Sequence, residues 1–199
     1  MVICQETKDF KEKYIIPLDT LNISEFSFDK KVIIKSMKAW QRLSYSSNLF
    51  NCQYYPSCSN YFSNSIIENG SMLGIIKGSD RIIRCNEAAH YYHMYETYQP
   101  RYFVDGRMID QLNPTLNPNP KKNSITALLL SVVPGLGRAY TGRYVDGLYS
   151  FSTIVLFSQL SYNQLHRENH FVSAIFGSLA ITFWFGDFYG AWRTTKVKK

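Results

Sequence analysis

The sequence lacks the short motifs that usually reveal a catalytic site. It has no Gly-x-Ser-x-Gly turn, no His-Glu-x-x-His zinc motif and no glycine-rich phosphate loop. It has only four cysteines, and none of them forms the Cys-x-x-Cys pair of redox enzymes. These absences argue against an enzyme and favour a binding or structural role.

A signal peptide is also missing, because no basic segment with a long apolar run follows Met1. Cys4 has no apolar segment before it, so a lipid-anchored cysteine is not expected. We therefore expect the cysteines to be in a reducing cytosol, where disulfides rarely persist.

Positive charge is concentrated in two blocks. Residues 30–84 hold eight Lys or Arg against two acids, and residues 121–199 hold nine against three, so each block has a net charge of +6. A basic surface attracts nucleic acid or anionic lipid. The last third of the chain is much more apolar than the first, which favours lipid as the partner and excludes nucleic acid from our prediction.

Residues 30–50 are predicted to form an amphipathic helix. An apolar stripe of Ile33, Met37, Trp40 and Leu43 lies roughly opposite a basic stripe in this helix. The pattern is typical of a helix in a membrane interface, and a surface helix of a soluble domain is the alternative. The basic stripe consists of Lys31, Lys35, Lys38 and Arg42.

The segment from Asn51 to Cys85 is the most constrained part of the chain. It holds a cysteine loop kinked by Pro56, a short helix, and three glycines at intervals of four residues. Small residues at this spacing let another helix approach closely. We expect the glycine edge to pack closely against another helix, for which the helix of residues 30–50 is one candidate. The glycines are Gly70, Gly74 and Gly78.

Three prolines between residues 113 and 120 mark a domain boundary. After this boundary an apolar half-helix is interrupted at Pro134, after about ten residues, which is too short to span a bilayer. Residues 147–165 and 171–192 are each long enough to span. The prediction is an all-α chain with an irregular arm (1–29), a cytoplasmic helical module (30–112), a linker (113–122) and a two-span membrane domain with a preceding half-helix (123–199).

The charges around the two predicted spans predict their orientation. Eight Lys or Arg flank the pair, whereas the connecting loop contains only Arg167. By the positive-inside rule, both termini are expected in the cytoplasm. Asp187 lies near the cytoplasmic end of the second span, where Arg138 or Arg143 could pair with it.

Residues 40–85 resemble the membrane protein insertion efficiency factor family (YidD-like). The resemblance is carried by Trp40-Gln41-Arg42-Leu43-Ser44, by a cysteine loop, by the glycine helix and by a closing Arg-x-x-Arg-Cys. It implies a protein of the bacterial inner membrane that assists insertion of nascent membrane proteins near the Sec translocon and the YidC-type insertase. The matching positions are Cys52, Pro56, Cys58, Tyr61, Gly70, Gly74, Arg81, Arg84 and Cys85, with Gly78 as an additional glycine.

Residues 121–192 are similar to small two-span membrane domains of poorly defined role. This resemblance supports a topology only. It is carried by Pro134, Gly135, Gly137, Tyr140, Gly142, Tyr144 and Gly147.

Two alternatives to an insertion factor stay open. One is a membrane-perturbing, haemolysin-like protein. The other is a zinc-stabilised membrane adaptor, in which Cys52, Cys58 and Cys85 would bind zinc together with His90 or His93. We favour thiols that pack the loop against the glycine helix, and no cofactor is expected.

Overall fold

The structure is a computed structural model that describes residues 23–45, 52–96, 102–110, 112 and 122–196. It is all-α apart from two short strands, which confirms the predicted class. The chain divides into two compact units, Met1–Asn51 and Cys52–Lys199. The predicted boundary at 113–122 lies almost entirely outside the described residues and stays a prediction, as does most of the predicted arm at 1–29.

The first unit contains a 3-10 turn at Ile23–Glu25 and one long helix, α1, at Phe28–Tyr45. The predicted amphipathic helix is therefore present, but its buried residues are not those of the predicted stripe. Trp40 is 50% exposed and Leu43 is 68% exposed. The fully buried side chains are Ile34 and Gln41, so part of the predicted apolar stripe faces outward.

The second unit opens with the cysteine loop and a helical hairpin. Strand β1 (Tyr54–Tyr55) is followed by α2 (Cys58–Asn69), α3 (Ser71–Arg84) and α4 (Ala89–Glu96). Strand β2 (Met108–Ile109) then pairs in parallel with β1, so the chain returns to the cysteine loop.

The glycine edge of α3 packs against α2, which was not among the expected neighbours of this edge. A β-carbon at Gly74 would overlap with the backbone of Ile66, and one at Gly78 would overlap with the Phe62 ring. Gly70 joins the two helices with a positive φ of 82°, which favours glycine. The glycines therefore close an internal hairpin.

The C-terminal part of the second unit consists of four helices. Two short ones, α5 (Ser124–Leu130) and α6 (Leu136–Tyr140), precede the long helices α7 (Tyr144–His166) and α8 (His170–Lys196). The predicted half-helix is thus split in two at Pro134 and Gly135.

Within the part of the chain that the structure describes, one helix, α8, is long and apolar enough to cross a membrane. α7 is long enough, but its serines, glutamines and asparagine make it less apolar. The first predicted span, residues 147–165, therefore stays a prediction.

Candidate functional site: a buried arginine–aspartate cluster

Arg81 lies at the centre of the cysteine loop. Its side chain is fully buried, and its Nη2 donates a hydrogen bond to the carbonyl of Pro56 over 3.2 Å. Its Nη1 lies 3.8 Å from the Sγ of Cys58. A guanidinium presents several donors in one plane, so one arginine can hold both the loop and the first residue of α2.

Two tyrosines enclose the same guanidinium. The Cζ of Arg81 lies 3.8 Å from the ring centroid of Tyr54 and 5.1 Å from that of Tyr61. Arginine above an aromatic face is attracted by the electron density of the ring. Four residues of the cysteine-loop segment therefore converge on one side chain of α3.

Asp110 supplies the negative charge for this arginine. Its Oδ2 lies 2.8 Å from Nε of Arg81 and 2.9 Å from Nη1 of Arg84. The residue follows β2 directly, so the parallel pairing of β1 with β2 places it beside the loop. The two arginines, which the sequence suggested as a basic face, are both buried and paired.

A second carboxylate, Asp80, connects α3 to the C-terminal helices. Arg84 Nε donates to Asp80 Oδ2 over 2.8 Å, and Arg138 Nη2 donates to Asp80 Oδ1 over 2.8 Å. The same Arg138 donates to Asp187 Oδ1 through Nε at 2.8 Å. The predicted pairing of Asp187 is confirmed, with Arg138 as the partner.

The cluster extends further at both sides. Arg193 donates to Asp110 over 3.1 Å, which links α8 to the end of β2. At the start of α7, Asp146 accepts hydrogen bonds from Arg143 and from the side chain of Asn86. We call the set the ion cluster; it consists of Asp80, Arg81, Arg84, Asn86, Asp110, Arg138, Arg143, Asp146, Asp187 and Arg193.

Small residues allow α3 and α8, which both carry charged side chains of the cluster, to lie close to each other. A β-carbon at Gly186 would lie 2.8 Å from the Cβ of Ser79, and one at Gly190 would overlap with Arg138 and Asp80. α3 therefore packs directly on α8. These two glycines, more than Gly74 and Gly78, are the small residues at the contact with the candidate span.

The other glycines of the C-terminal motif fix the turn at Pro134. Gly135 has a positive φ of 83° and its backbone touches that of Gly147. Gly137 lies against Ser131 and Ala127, and Gly142 also has a positive φ, of 97°. Pro134, Gly135, Gly137 and Gly147 are thus close together at this turn, whereas the carbonyl of Tyr140 accepts a hydrogen bond from Lys122, away from the turn.

The arginines of the ion cluster lower the pKa values of two of its carboxyl groups, those of Asp80 and Asp110. Burial alone would raise the pKa of Asp80, but the guanidinium groups of Arg84, Arg138 and Arg193 outweigh it and hold the value at about 2. The pKa of Asp110 is lowered below its usual range in the same way, although burial alone would raise it. Ionised and fully paired carboxylates are poor general acids and bases, so the cluster suits a structural joint.

The three cysteines of the motif are free thiols around the start of α2. A hydrogen bond with Cys85 lowers the pKa of Cys58 to about 6, and neighbouring Arg81 and Arg84 act in the same direction. Burial raises the pKa of Cys52. The residues that the structure describes include no group of three or more His, Cys, Asp or Glu placed to hold a metal. His90 and His93 both contact the ring of Tyr102.

The sequence did not reveal Asp80, Asp110, Asp146, Asn86 or Arg193 as site residues. Two of these residues could have been found from the sequence, because acids are rare in the two basic blocks. Asp80 is one of two acids in residues 30–84, and Asp146 is one of three in residues 121–199. Isolated acids in a basic, apolar chain are candidates for buried pairs. Asp110 carries no such signal, because it lies in an acidic segment.

The chain is similar to known proteins over its first half. Residues 29–95 match the YidD family model, described as "Putative membrane protein insertion efficiency factor". A relative of that name from Aquifex aeolicus is 33% identical over 57 residues, which are 29% of this chain and 84% of the relative. One from Nitrosomonas eutropha is 37% identical over 60 residues, 29% of this chain and 83% of the relative.

Other relatives of the same name match a shorter segment. The protein of Lactobacillus gasseri is 51% identical over 35 residues, which are 18% of this chain and 36% of the relative, so the chain spans about a third of its length. No solved structure shows significant similarity. Since the chain covers more than four fifths of the Aquifex and Nitrosomonas relatives at over 30% identity, it belongs to the membrane protein insertion efficiency factor family.

Proposed function

We propose that this protein is a non-enzymatic, membrane-associated factor that assists the insertion of newly made proteins into the bacterial cytoplasmic membrane. We further propose that it works near the Sec translocon and the YidC-type insertase. One structural observation carries the proposal. The family's motif helix, α3, is joined to the candidate membrane span, α8, through Arg138, which binds Asp80 on one helix and Asp187 on the other.

Because the charges that join α3 to α8 are buried, they stabilise one arrangement of the two helices. Arg138, Asp80 and Asp187 are all 0% exposed, and separating them would leave unpaired charges in a low-dielectric interior. Breaking such a pair costs several kcal/mol. The α2–α3 hairpin is therefore held in one position relative to α8, and a bilayer that accepts α8 also fixes the hairpin.

The surface of α1 supports a second contact with lipid. Lys35 and Arg42 are exposed, Lys31 and Lys38 are half-buried, and Trp40 is half exposed on the same helix. Exposed tryptophan beside lysine and arginine is typical of a helix that lies in an anionic membrane interface. We assign this helix to the inner leaflet.

The charge distribution supports the proposed orientation. Lys122, Arg138, Arg143 and Arg193 all lie at the end of the α7–α8 pair that carries the ion cluster, whereas Arg167 lies in the opposite loop. Positive charge marks the cytoplasmic side. Both termini are therefore proposed to be cytoplasmic.

The chemistry of the ion cluster supports a non-enzymatic role. Its carboxylates are buried and paired with arginines. A hydrolytic or transfer reaction would need a nucleophile or base that substrate can reach. The cluster instead holds helices together.

Depletion of the protein in living cells tests the proposed function. Pulse-labelled polytopic inner-membrane proteins should become protease-protected more slowly after depletion, while a secreted protein serves as the control. An unchanged rate of insertion would refute the proposal. Leakage of dye from anionic liposomes on addition of purified protein would favour the haemolysin-like alternative instead.

A further inference from the structure

Residues 122–143 form a hairpin whose two ends lie side by side. Lys122 Nζ donates a hydrogen bond to the carbonyl of Tyr140 over 2.7 Å, and the backbone N–H of Asn123 lies 3.4 Å from the Tyr140 hydroxyl. The returning arm of the hairpin therefore ends beside residues 122 and 123, where the outgoing arm begins.

Contacts with α8 show how far the hairpin reaches along that helix. At its start, the Ser124 hydroxyl lies 2.6 Å from the hydroxyl of Thr195. At its turn, the Trp184 indole N–H donates to the Ser131 carbonyl over 3.0 Å. Thr195 and Trp184 are eleven residues apart, which is about 16 Å of α-helix. The hydrocarbon core of a bilayer is about 30 Å thick, and α5 rises only about 10 Å over its seven residues, so the hairpin is too short to cross it.

The returning arm stays in contact with the outgoing arm. Gly135 N–H donates to Asp187 over 3.0 Å, which places it one turn nearer to the C-terminus of α8 than Trp184. Because Gly137 lies directly against Ala127 and Ser131, the two arms leave no room for solvent between them. The turn lies at residues 131–135.

The outside of the hairpin is apolar on both arms and at the tip. These side chains are 47–68% exposed in the structure, and they continue the exposed apolar surface of α8 at Ile181 and Phe185. A contiguous apolar surface of this kind marks contact with a partner or a membrane. The exposed side chains of the hairpin are Ile125, Leu129, Val132, Val133 and Leu136.

Below the tip, α7 and α8 continue without the hairpin, and a groove of about 610 Å³ opens there. Its lining is mainly apolar and includes two polar side chains. The lining residues are Val132, Pro134, Ile154, Val155, Tyr162 and Trp184, with Ser158 and Gln159. The groove is continuous with the apolar surface of α8, the one described helix that qualifies as a span. A hydrocarbon chain fits this lining.

We propose that residues 122–143 enter the bilayer as a re-entrant hairpin that occupies one leaflet only, with acyl chains against its exposed side chains and in the groove below its tip. The hairpin enters from the side that carries the ion cluster. The proposal requires α8 to lie in a membrane but does not depend on a role in protein insertion.

Depth measurements in vesicles test the hairpin. A genetically encoded spin-labelled amino acid is placed singly at Ile125, Val133 and Tyr144 in the full chain, which leaves the native cysteines intact. Vesicles of phosphatidylcholine and phosphatidylglycerol are used, and oxygen and a water-soluble nickel complex compete as relaxing agents. The matched control is Ile181 on α8, which is 55% exposed.

If residues 122–143 form a re-entrant hairpin, the depth of the spin label in the bilayer should increase and then decrease along the sequence. Residue 133 should lie about 10 Å deeper than residue 125, and residue 144 should return to the depth of residue 125. A depth that increases steadily from 125 through 133 to 144 would show a spanning segment and overturn the proposal. Labels at 125 and 133 that are shielded from both agents would show a protein partner and also overturn it.

The control separates this proposal from the proposed function. If the label at Ile181 is as exposed to the nickel complex as a label in water, α8 is not in the membrane, and both the anchor and the hairpin are wrong. If Ile181 is deep and the profile of the hairpin is flat at the surface, only the hairpin is wrong.

Discussion

Arg138 and Asp80 lie 58 residues apart in the sequence, and a 2.8 Å ion pair joins them in the interior of the fold. Both side chains are fully buried. This pair connects a helix of the family's motif to a part of the chain that the family match does not cover. The motif and the C-terminal helices therefore form one structural unit.

Removing the arginine should destabilise that unit strongly. Arg138→Met leaves Asp80 and Asp187 without their shared partner, and we expect a loss of about 3–5 kcal/mol in the free energy of unfolding. Urea unfolding in detergent micelles, followed by circular dichroism, measures the change. Lys35→Met on the exposed surface of α1 is the control and should change the value by less than about 0.5 kcal/mol. Equal effects of the two substitutions would contradict a buried joint.

Replacing a glycine of α3 by alanine can stabilise or destabilise the protein, depending on which residue of α2 faces that glycine. Alanine normally favours a helix over glycine by about 1 kcal/mol, but at Gly78 its β-carbon would overlap with the Phe62 ring. We expect Gly78→Ala to destabilise the protein by about 1–3 kcal/mol. Phe62→Ala in the same chain should remove most of that additional cost.

The matched comparison is Gly74→Ala, whose β-carbon would meet the backbone and the side chain of Ile66 and not the Phe62 ring. Phe62→Ala should not relieve it. Thermal unfolding of the three single and two double variants measures these effects, and equal rescue at both glycines would show that the hairpin packing is wrong.

Stability should fall in acid because of the ion cluster. The pKa of Asp80 is lowered to about 2 in the folded protein, against about 3.9 in an unfolded chain. A lowered folded pKa contributes stability that is present above the unfolded value and is lost as the pH falls through the folded value. We expect stability to be constant above about pH 5 and to decrease between about pH 4 and pH 2. The same measurement on Asp80→Asn should show a smaller decrease, and parallel curves would contradict the assignment.

Cys58 should react as a thiolate near neutral pH. The hydrogen bond with Cys85 lowers its pKa, so the rate of alkylation by iodoacetamide should reach half of its maximum below the pH of about 8.5 expected for an ordinary thiol. Cys85→Ala removes the hydrogen bond and should move this midpoint upward by at least one pH unit. Mass spectrometry of peptides that contain residue 58 measures the rate at this thiol alone, and an unchanged midpoint would refute the pairing.

The sequence was sufficient to predict local features and insufficient for long-range ones. The cysteine loop, the glycine helix and α8 each follow from residues close together in the chain, such as Pro56, Gly70 and the apolar run before Asp187. Periodicity and turn chemistry decide these features locally.

The partners of the glycines and arginines could not be predicted in the same way. Arg81 and Arg84 have helical spacing that suits a solvent-exposed basic face, and only the return of β2 to β1 brings Asp110 beside them. Likewise, the spacing of Gly74 and Gly78 predicts a close neighbour but not that α2 is this neighbour. On α1, Trp40 and Leu43 are exposed, as they would be in a helix whose apolar stripe faces a membrane interface, so the role of this stripe stays a prediction.

Insertion of a labelled polytopic membrane protein into reconstituted vesicles tests the central claim most directly. The vesicles contain the Sec translocon and the YidC-type insertase, with this protein either omitted, added intact, or added as the Arg138→Met variant. We predict that the intact protein increases the rate of insertion several-fold and that the variant, with its joint between α3 and α8 broken, does not. An equal rate in the presence and absence of the intact protein would contradict the account.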